Sequence, residues 1–233
     1  MSRARVPRLQ LADEFFLAAH GHEAARMRPR LLPAVLDLGL AGALLGELIM
    51  MNRLGQLDGY LLAAVRPPER SGRPYGEREG DTITDQVLDL IAGKPAQPVS
   101  VWLGQIRHLA ADGVRDRLVD AGVLSEVTGR KWWGGAMVEY RALDPNQAMG
   151  PEAGVFGLVS SHRPLDTNLQ AVTLAGLVDV TGLRTKMPAW DMGASEVHHR
   201  MVALRSGLPA PLRGLLADLE TAVGAALLSS GHH

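Results

Sequence analysis

The longest apolar stretch of the chain runs from residue 33 to residue 51, and Asp37 and Glu47 are its only charged positions. Pro33 opens it, at a place where a helix tolerates proline because the first-turn N–H groups have no partner within the helix. Small residues recur on one helical face of this stretch, at Gly39, Gly42, Ala43 and Gly46. Each glycine inside a helix costs about 0.5–1 kcal/mol relative to alanine. The small-residue stripe therefore predicts a helix at the centre of the fold, packed closely against another backbone.

A membrane-spanning helix is the alternative interpretation of this stretch, since its length approaches the roughly 20 apolar residues that cross a bilayer. An acidic side chain near the middle of such a helix costs about 2.5–3.5 kcal/mol. Inserting Asp37 and Glu47 into the bilayer would be unfavourable by about this amount for each residue. The sequence thus favours a buried core helix over a membrane span.

The rest of the hydrophobic pattern is mostly helical. Apolar residues recur with a helical period over residues 9–19, 81–93, 100–111, 113–121, 165–181, 193–206 and 209–228, and residues 151–162 fit either a short helix or a strand. Predicted helices and strands do not alternate along the chain, so we expect no parallel sheet. The pattern indicates a mainly α protein.

Turn-forming residues divide the remaining sequence into hairpins and loops. One hairpin is predicted to turn at Asp58–Gly59, and a second to pair residues 123–128 with residues 136–142. We expect a basic loop at Arg26–Arg30 and an exposed loop over residues 66–80, where proline, glycine and charge leave little to bury.

Composition narrows the possible functions. The chain has 233 residues, 46% of them hydrophobic, and a formal net charge of −1, so binding to nucleic acid or anionic lipid would need a local basic patch. It has no cysteine, which excludes disulfides, thiolate catalysis and cysteine-based zinc sites. We find no signal-peptide pattern and expect a cytoplasmic protein with one domain over residues 1–228, and we interpret residues 229–233 as an expression-tag remnant.

Four segments, in this order, resemble motifs of the Golgi phosphoprotein 3 family of peripheral membrane proteins. They are LADEFFL at residues 11–17, GLAGALLGEL at residues 39–48, VRDRLVDAGVL at residues 114–124 and SHRPLDTNL at residues 161–169. Each motif is weak alone, but their common order covers nearly the whole chain. The resemblance implies a single-domain helical core with a protruding β-hairpin.

The resemblance also implies a lipid site, because eukaryotic members of the family bind phosphatidylinositol 4-phosphate in a shallow basic pocket. Where the family has a tryptophan before the glycine-rich helix and an arginine within it, this chain has Leu32 and Ala41. The family's arginine pair falls on His108 and Ala111, with Arg107 one position away. A neutral pocket holds a dianionic phosphate poorly. We therefore predict that selective phosphoinositide recognition is lost.

The second hairpin carries the other candidate lipid-binding residues. Its predicted tip has the sequence Arg130-Lys131-Trp132-Trp133, flanked by glycines. The two cations suit anionic headgroups, and tryptophan rings favour the bilayer interface. The alternative is that the rings cover the core or seal a contact with a second copy.

We expect a non-enzymatic protein that binds anionic lipid or phosphoinositide-like headgroups at the membrane periphery, with an adaptor role. Its partners would be the membrane surface or a lipid-like ligand, and a client protein or a second copy at the hairpin, with no cofactor, metal or nucleic acid. A winged-helix module is one alternative, because a helix at residues 113–121 precedes a basic hairpin. A helical small-molecule or metal pocket is another, with Glu196 and His199 one turn apart and His20 or His22 as further ligands.

Overall fold

The structure, a computed structural model, describes residues 8–23, 26–57, 59–63, 82–130, 136–161, 168–187, 190 and 192–230. Within these residues there are eight α-helices: α1 Leu11–Ala18, α2 Pro33–Met50, α3 Thr82–Ala92, α4 Val99–Asp120, α5 Pro145–Ser160, α6 Leu169–Val180, α7 Ala194–Ser206 and α8 Ala210–Ser230. The strands are β1 His20–Glu23, β2 Arg26–Pro29, β3 Leu54–Leu57, β4 Tyr60–Ala63, β5 Gln97–Pro98, β6 Leu124–Arg130 and β7 Ala136–Ala142. A 3-10 turn, Leu183–Lys186, lies between α6 and α7. The predicted mainly α fold is confirmed.

Helix α2 lies at the centre of the fold, in contact with α1, α3, α4, α6 and α8. By length and composition, α2 could cross a membrane, and it is the one helix among the described residues that meets this test. However, 78% of that stretch is buried within the protein. Its apolar character is therefore accounted for by helix packing, as the core-helix interpretation predicts.

Side chains of α1 and α8 pack against the small-residue stripe of α2. A β-carbon at Gly39 would overlap the Phe15 ring of α1. One at Gly42 would stand 2.8 Å from Cδ2 of Leu219 in α8, and one at Gly46 would stand 2.9 Å from Cδ2 of Leu11. The prediction of close packing is confirmed, but the expectation of an approaching backbone is wrong. Large side chains fill the space that the missing β-carbons leave.

Helix α4 is continuous, whereas the sequence predicted two helices separated at Asp112–Gly113. Glycine is a poor helix former, so its presence suggested a break. In the structure Gly113 lies against Ile83 of α3, whose side chain occupies the place of a β-carbon. Tertiary packing thus overrides the local propensity, and the glycine allows α3 to approach α4 closely.

Two small antiparallel sheets flank the helices, with strand orders β1-β2-β7-β6 and β3-β4-β5. The expected basic loop at Arg26–Arg30 is wrong, because Arg26–Pro29 forms β2 and pairs with both β1 and β7. The predicted turn at Asp58–Gly59 is confirmed by the pairing of β3 with β4, and Gly59 has a φ of +80°, which favours glycine. The expected loop at residues 66–80 lies outside the described residues.

The short element expected at residues 151–162 is the C-terminal part of a longer helix. Helix α5 begins at Pro145, where the Asp144 side chain accepts a hydrogen bond of 2.9 Å from the backbone N–H of Asn146. This is a helix N-cap, a feature of the sequence that the hydrophobic pattern alone did not reveal. Proline at the first helical position is equally typical of a helix start.

We predict that Gly42→Leu lowers the free energy of unfolding by about 1–3 kcal/mol, because the new side chain would overpack the contact with Leu219. Gly104→Leu is the matched control, since Gly104 lies on α4, is exposed and has no heavy atom within 4 Å of its β-carbon position. Denaturant unfolding of both variants measures the effect. Equal stability of the Gly42→Leu variant and the native protein would show that the stripe is not a packing surface.

Candidate functional site

Basic side chains of α4 lie beside the N-terminal half of α2, where the family resemblance places a lipid pocket. Partial burial raises the pKa of Asp37 on α2 above its ordinary 3.8, and the neighbouring basic side chains, Arg107 first and then His108 and Arg115, oppose this rise. These three side chains therefore lie close enough to Asp37 to act on it. We call Asp37, Arg107, His108, Asp112 and Arg115 the α2–α4 surface.

The α2–α4 surface is electrostatically mixed. Its two arginines, Arg107 and Arg115, are balanced by two aspartates, Asp37 and Asp112, and Arg115 Nη1 lies 2.6 Å from Asp112 Oδ1. The Nε–H of Arg107 donates to Nε2 of His108 at 3.3 Å. With His108 neutral, the formal charges cancel. These five side chains therefore carry no net positive charge that would attract a phosphorylated headgroup.

The two positions that align with the family's other pocket residues have different surroundings. Leu32 is the N-cap residue of α2 and is 52% exposed. Ala41 is fully buried in the core. A ligand on the surface could touch Leu32, but it would find no accessible surface at Ala41.

Strands β6 and β7 form the antiparallel pair that the sequence predicted. Their register pairs Leu124 with Ala142 at one end and Arg130 with Ala136 at the other. Leu124 is 2% exposed, so the first end is anchored in the core. The side chain of Arg130, and all of Lys131, Trp132 and Trp133, lie outside the described residues.

An aromatic contact ties this strand pair to the α2–α4 surface. The Arg115 guanidinium lies over the ring of Tyr140 in β7, 4.9 Å from its centroid. Such cation–π contacts contribute about 0.5–1 kcal/mol at exposed sites. On the same strand Val138 is 46% exposed. The candidate lipid-binding elements are therefore contiguous through α4 and β7.

A buried ionic cluster was missed by the sequence analysis. Arg117 of α4 lies between two carboxylates, with its Nε 2.8 Å from Asp13 Oδ1 and its Nη2 and Nη1 3.1 and 3.2 Å from the two Glu47 oxygens. Thr84 of α3 donates to Glu47 Oε2 at 2.9 Å, and the Ala12 N–H donates to Glu47 Oε1 at 2.7 Å. We call these side chains, Asp13, Glu47, Thr84 and Arg117, the Arg117 cluster. It joins α1, α2, α3 and α4.

The Arg117 cluster holds two acidic groups and one basic group away from water. The side chains of Arg117, Asp13 and Glu47 are 9%, 7% and 1% exposed, respectively. Burial raises the pKa of Glu47 above its ordinary 4.5, while the Arg117 guanidinium and the Ala12 N–H oppose the rise. When both carboxylates are ionised the formal charge is −1. Arg117 is therefore the group that makes burial of either carboxylate tolerable.

Two features of the sequence pointed toward this cluster. Glu47 is an isolated acid in an apolar helix, and such a residue, once buried, needs a positive partner. Arg117 belongs to the family-like segment at residues 114–124. The two are separated by 70 positions, so no local periodicity could pair them. The pairing also directs Arg117 inward, away from any nucleic acid, which weakens the winged-helix alternative.

The histidines considered as metal ligands lie in different surroundings. Glu196 and His199 are exposed on α7. His20 is buried, with Nδ1 2.7 Å from the Phe16 carbonyl oxygen and its ring stacked on Phe16. Among the residues that the structure describes, no three histidine or acidic side chains are grouped so that they could hold a metal ion.

We predict that Arg117→Met lowers the free energy of unfolding by about 3–5 kcal/mol, because it removes the guanidinium that both buried carboxylates share. Arg115→Met, two positions away on the same helix, is the matched control. Arg115 pairs with an exposed aspartate, and such surface pairs contribute about 0–1 kcal/mol. Denaturant unfolding at neutral pH compares the two variants. Similar small losses for both would mean that the Arg117 cluster is not structurally important.

Comparison with curated proteins finds no match. The family model described as Golgi phosphoprotein 3 (GPP34) matches residues 11–226. This match begins with α1, ends within α8 and includes the Arg117 cluster, the α2–α4 surface and the β6–β7 pair. The chain therefore belongs to the Golgi phosphoprotein 3 family.

Proposed function

We propose that this protein is a non-enzymatic peripheral membrane protein that binds anionic lipid surfaces reversibly through the β6–β7 hairpin, without selecting a phosphoinositide headgroup. Membership of the Golgi phosphoprotein 3 family supports a peripheral membrane location and an adaptor role. The choice of the hairpin rests on its geometry and charge, and the lack of headgroup selectivity rests on the α2–α4 surface.

The observation that carries the proposal is the length of the β6–β7 ladder. Seven consecutive residue pairs connect the buried base at Leu124 to the last pair, Arg130 with Ala136. At about 3.4 Å per residue, the last pair lies about 20 Å along the strands from the base. Residues 131–135 link these two strand ends in the sequence, so Lys131-Trp132-Trp133 directly follows the residue pair that is farthest along the ladder from the buried base.

Charged residues are distributed unevenly between the base of the β6–β7 hairpin and its other end. Counted from the base, the acidic residues Glu126 and Glu139 lie in the third and fourth of the seven pairs, and one basic residue, Arg141, lies in the second. Arg130 and Lys131 come at the opposite end, next to the two tryptophans. Basic residues near an anionic leaflet contribute about 1 kcal/mol each. This combination of two cations and two interfacial rings favours binding to an anionic bilayer surface.

The balanced charge of the α2–α4 surface supports the absence of headgroup selectivity. Phosphate recognition depends on charge-assisted hydrogen bonds from several donors. Here Arg115 is paired with Asp112 and Arg107 donates a hydrogen bond to His108, while the charge of Arg107 also acts on Asp37. A monophosphorylated inositol ring would have to displace these contacts. General attraction to negative charge at the hairpin end needs no such rearrangement.

Vesicle co-sedimentation tests the proposal. Phosphatidylcholine vesicles serve as the neutral reference, and vesicles containing phosphatidylserine or phosphatidylinositol 4-phosphate are matched in total charge. We expect binding to both anionic compositions, equal within a factor of about two and reduced at high salt because screening weakens surface attraction. Binding that is strong for the phosphoinositide alone would overturn the proposed lack of selectivity. Absence of binding to every anionic vesicle would overturn the membrane function.

The double variant Trp132→Ala/Trp133→Ala tests whether the hairpin end is responsible. We expect it to lose vesicle association while keeping its melting temperature within a few degrees, since a projecting end contributes little to the core. Tyr60→Ala/Leu62→Ala is the matched control, because it removes an exposed aromatic and an exposed aliphatic side chain from β4. A large loss of stability in the tryptophan variant would show that the rings are buried, and the hairpin assignment would fail.

A further inference from the structure

The face of the β6–β7 hairpin that carries Tyr140 is packed against the core near the base and exposed farther out. Tyr140 lies in the third pair counted from the base, and its side chain packs against the hydrophobic core. Val138, two residues farther along the same face, is 46% exposed, and its strand partner Thr128 is exposed as well. The hairpin therefore leaves the surface of the core just beyond Tyr140.

Strand β2 supports the hairpin even nearer the base. It pairs with β7 at one position, Arg26 with Arg141, and Arg141 belongs to the second pair of the β6–β7 ladder. From the fourth pair outward the ladder consists of two strands, residues 127–130 and 136–139, which we call the outer hairpin. An isolated two-stranded hairpin is at best marginally stable in water. The orientation of the outer hairpin therefore depends on contacts near its base.

A contact with α4 is made at the third pair. The Arg115 guanidinium carbon lies 4.9 Å from the centroid of the Tyr140 ring, and Arg115 Nη1 lies 2.6 Å from Asp112 Oδ1. The guanidinium thus contacts a carboxylate of its own helix and an aromatic ring of β7. The Arg115 side chain is 27% exposed, and partial removal from water strengthens a cation–π contact. Arg115 therefore joins α4 to the hairpin at the point where the hairpin leaves the core.

The place of this contact along the ladder makes it effective in orienting the hairpin. At about 3.4 Å per residue, Tyr140 lies about 7 Å along the strands from the base, and the last pair, Arg130 with Ala136, lies about 20 Å from it. If the hairpin tilts about its base, a displacement at Tyr140 becomes about three times as large at the last pair. Holding Tyr140 in place therefore restricts the end that the proposed function assigns to the membrane.

We propose that Arg115 is a positioning residue for membrane association, because its contact with Tyr140 holds the outer hairpin in one orientation relative to α4. This inference rests on the proposed function, since it concerns the same membrane-binding element. Arg115 acts through Tyr140 and needs no contact with lipid. A binding element that is already oriented loses less conformational entropy when it binds. The usual contribution of an exposed cation–π contact corresponds to about a two- to fivefold change in affinity.

Double electron–electron resonance on the lipid-free protein tests the positioning. The chain has no cysteine, so Gln86→Cys on α3 and Thr128→Cys on β6 provide the two spin-label sites, and both positions are exposed. We expect a narrow distance distribution in this background and a broader one after Arg115→Met. Arg107→Met is the matched control, because it removes the same charge from α4 while the Arg107 Nε–H donates to His108. Its distribution should stay narrow.

Two substitutions at Tyr140 separate the cation–π contact from general packing. Tyr140→Phe keeps the aromatic face and should keep the narrow distribution, whereas Tyr140→Leu should broaden it as Arg115→Met does. Combining Arg115→Met with Tyr140→Leu should broaden it no further, because both changes remove the same contact. A native-like distribution in Arg115→Met would overturn the proposal, and so would equal broadening by Tyr140→Phe and Tyr140→Leu.

Vesicle co-sedimentation of the unlabelled variants connects orientation with binding. On phosphatidylserine vesicles we expect Arg115→Met to bind about two- to fivefold more weakly than Arg107→Met, although each variant loses one positive charge. Equal binding of the two variants would overturn the proposal, even with a broader distance distribution in Arg115→Met. If the native chain bound no anionic vesicle, the proposed function would fail and with it the membrane role of Arg115. The distance distributions would still decide whether Arg115 orients the hairpin.

Discussion

The fold depends on one guanidinium that holds two acidic side chains in the interior. Arg117 bonds to Asp13 and to both oxygens of Glu47, and Thr84 completes the contacts of Glu47. Glu47 lies in the last turn of α2 and is 1% exposed, so burial alone would oppose its charge. Replacing a buried ion pair by apolar groups is often harmless, but removing one partner is strongly destabilising. Arg117 and its partners therefore hold four helices, α1 to α4, in fixed positions relative to one another.

That arrangement also determines where the candidate lipid-binding elements stand. Helix α4 carries Arg117 on its buried side and Arg107 and Arg115 on its surface side, and it leads after a tight turn at Gly122, with a φ of +67°, into β6. The orientation of α4 therefore fixes both the α2–α4 surface and the base of the β6–β7 pair. Arg115 adds a direct contact with Tyr140. Core electrostatics and the proposed membrane element are linked through a single helix.

The sequence predicted the elements whose signals are local and missed those that depend on distant partners. The apolar run at residues 33–51 and the turn at Asp58–Gly59 predicted α2 and the β3–β4 pair correctly, because periodicity and turn chemistry need no tertiary information. The prediction of two helices in place of α4 was wrong, because Gly113 makes room for Ile83 of α3 and no local signal shows that contact. The pairing of Arg117 with Glu47 was not predicted, because the two residues are 70 positions apart and no local pattern joins them. The assignment of Trp132 and Trp133 to a lipid-binding role still rests on sequence chemistry.

The most direct test of the structural account compares Arg117→Met with the double variant Arg117→Met/Glu47→Gln by denaturant unfolding at neutral pH. If the loss of Arg117 lowers the free energy of unfolding because the buried charge of Glu47 loses its partner, neutralising Glu47 must restore part of that free energy. The account predicts that the double variant is more stable than the single one, by about 1 kcal/mol or more. A double variant less stable than Arg117→Met alone would contradict it, because the two side chains would then contribute independently.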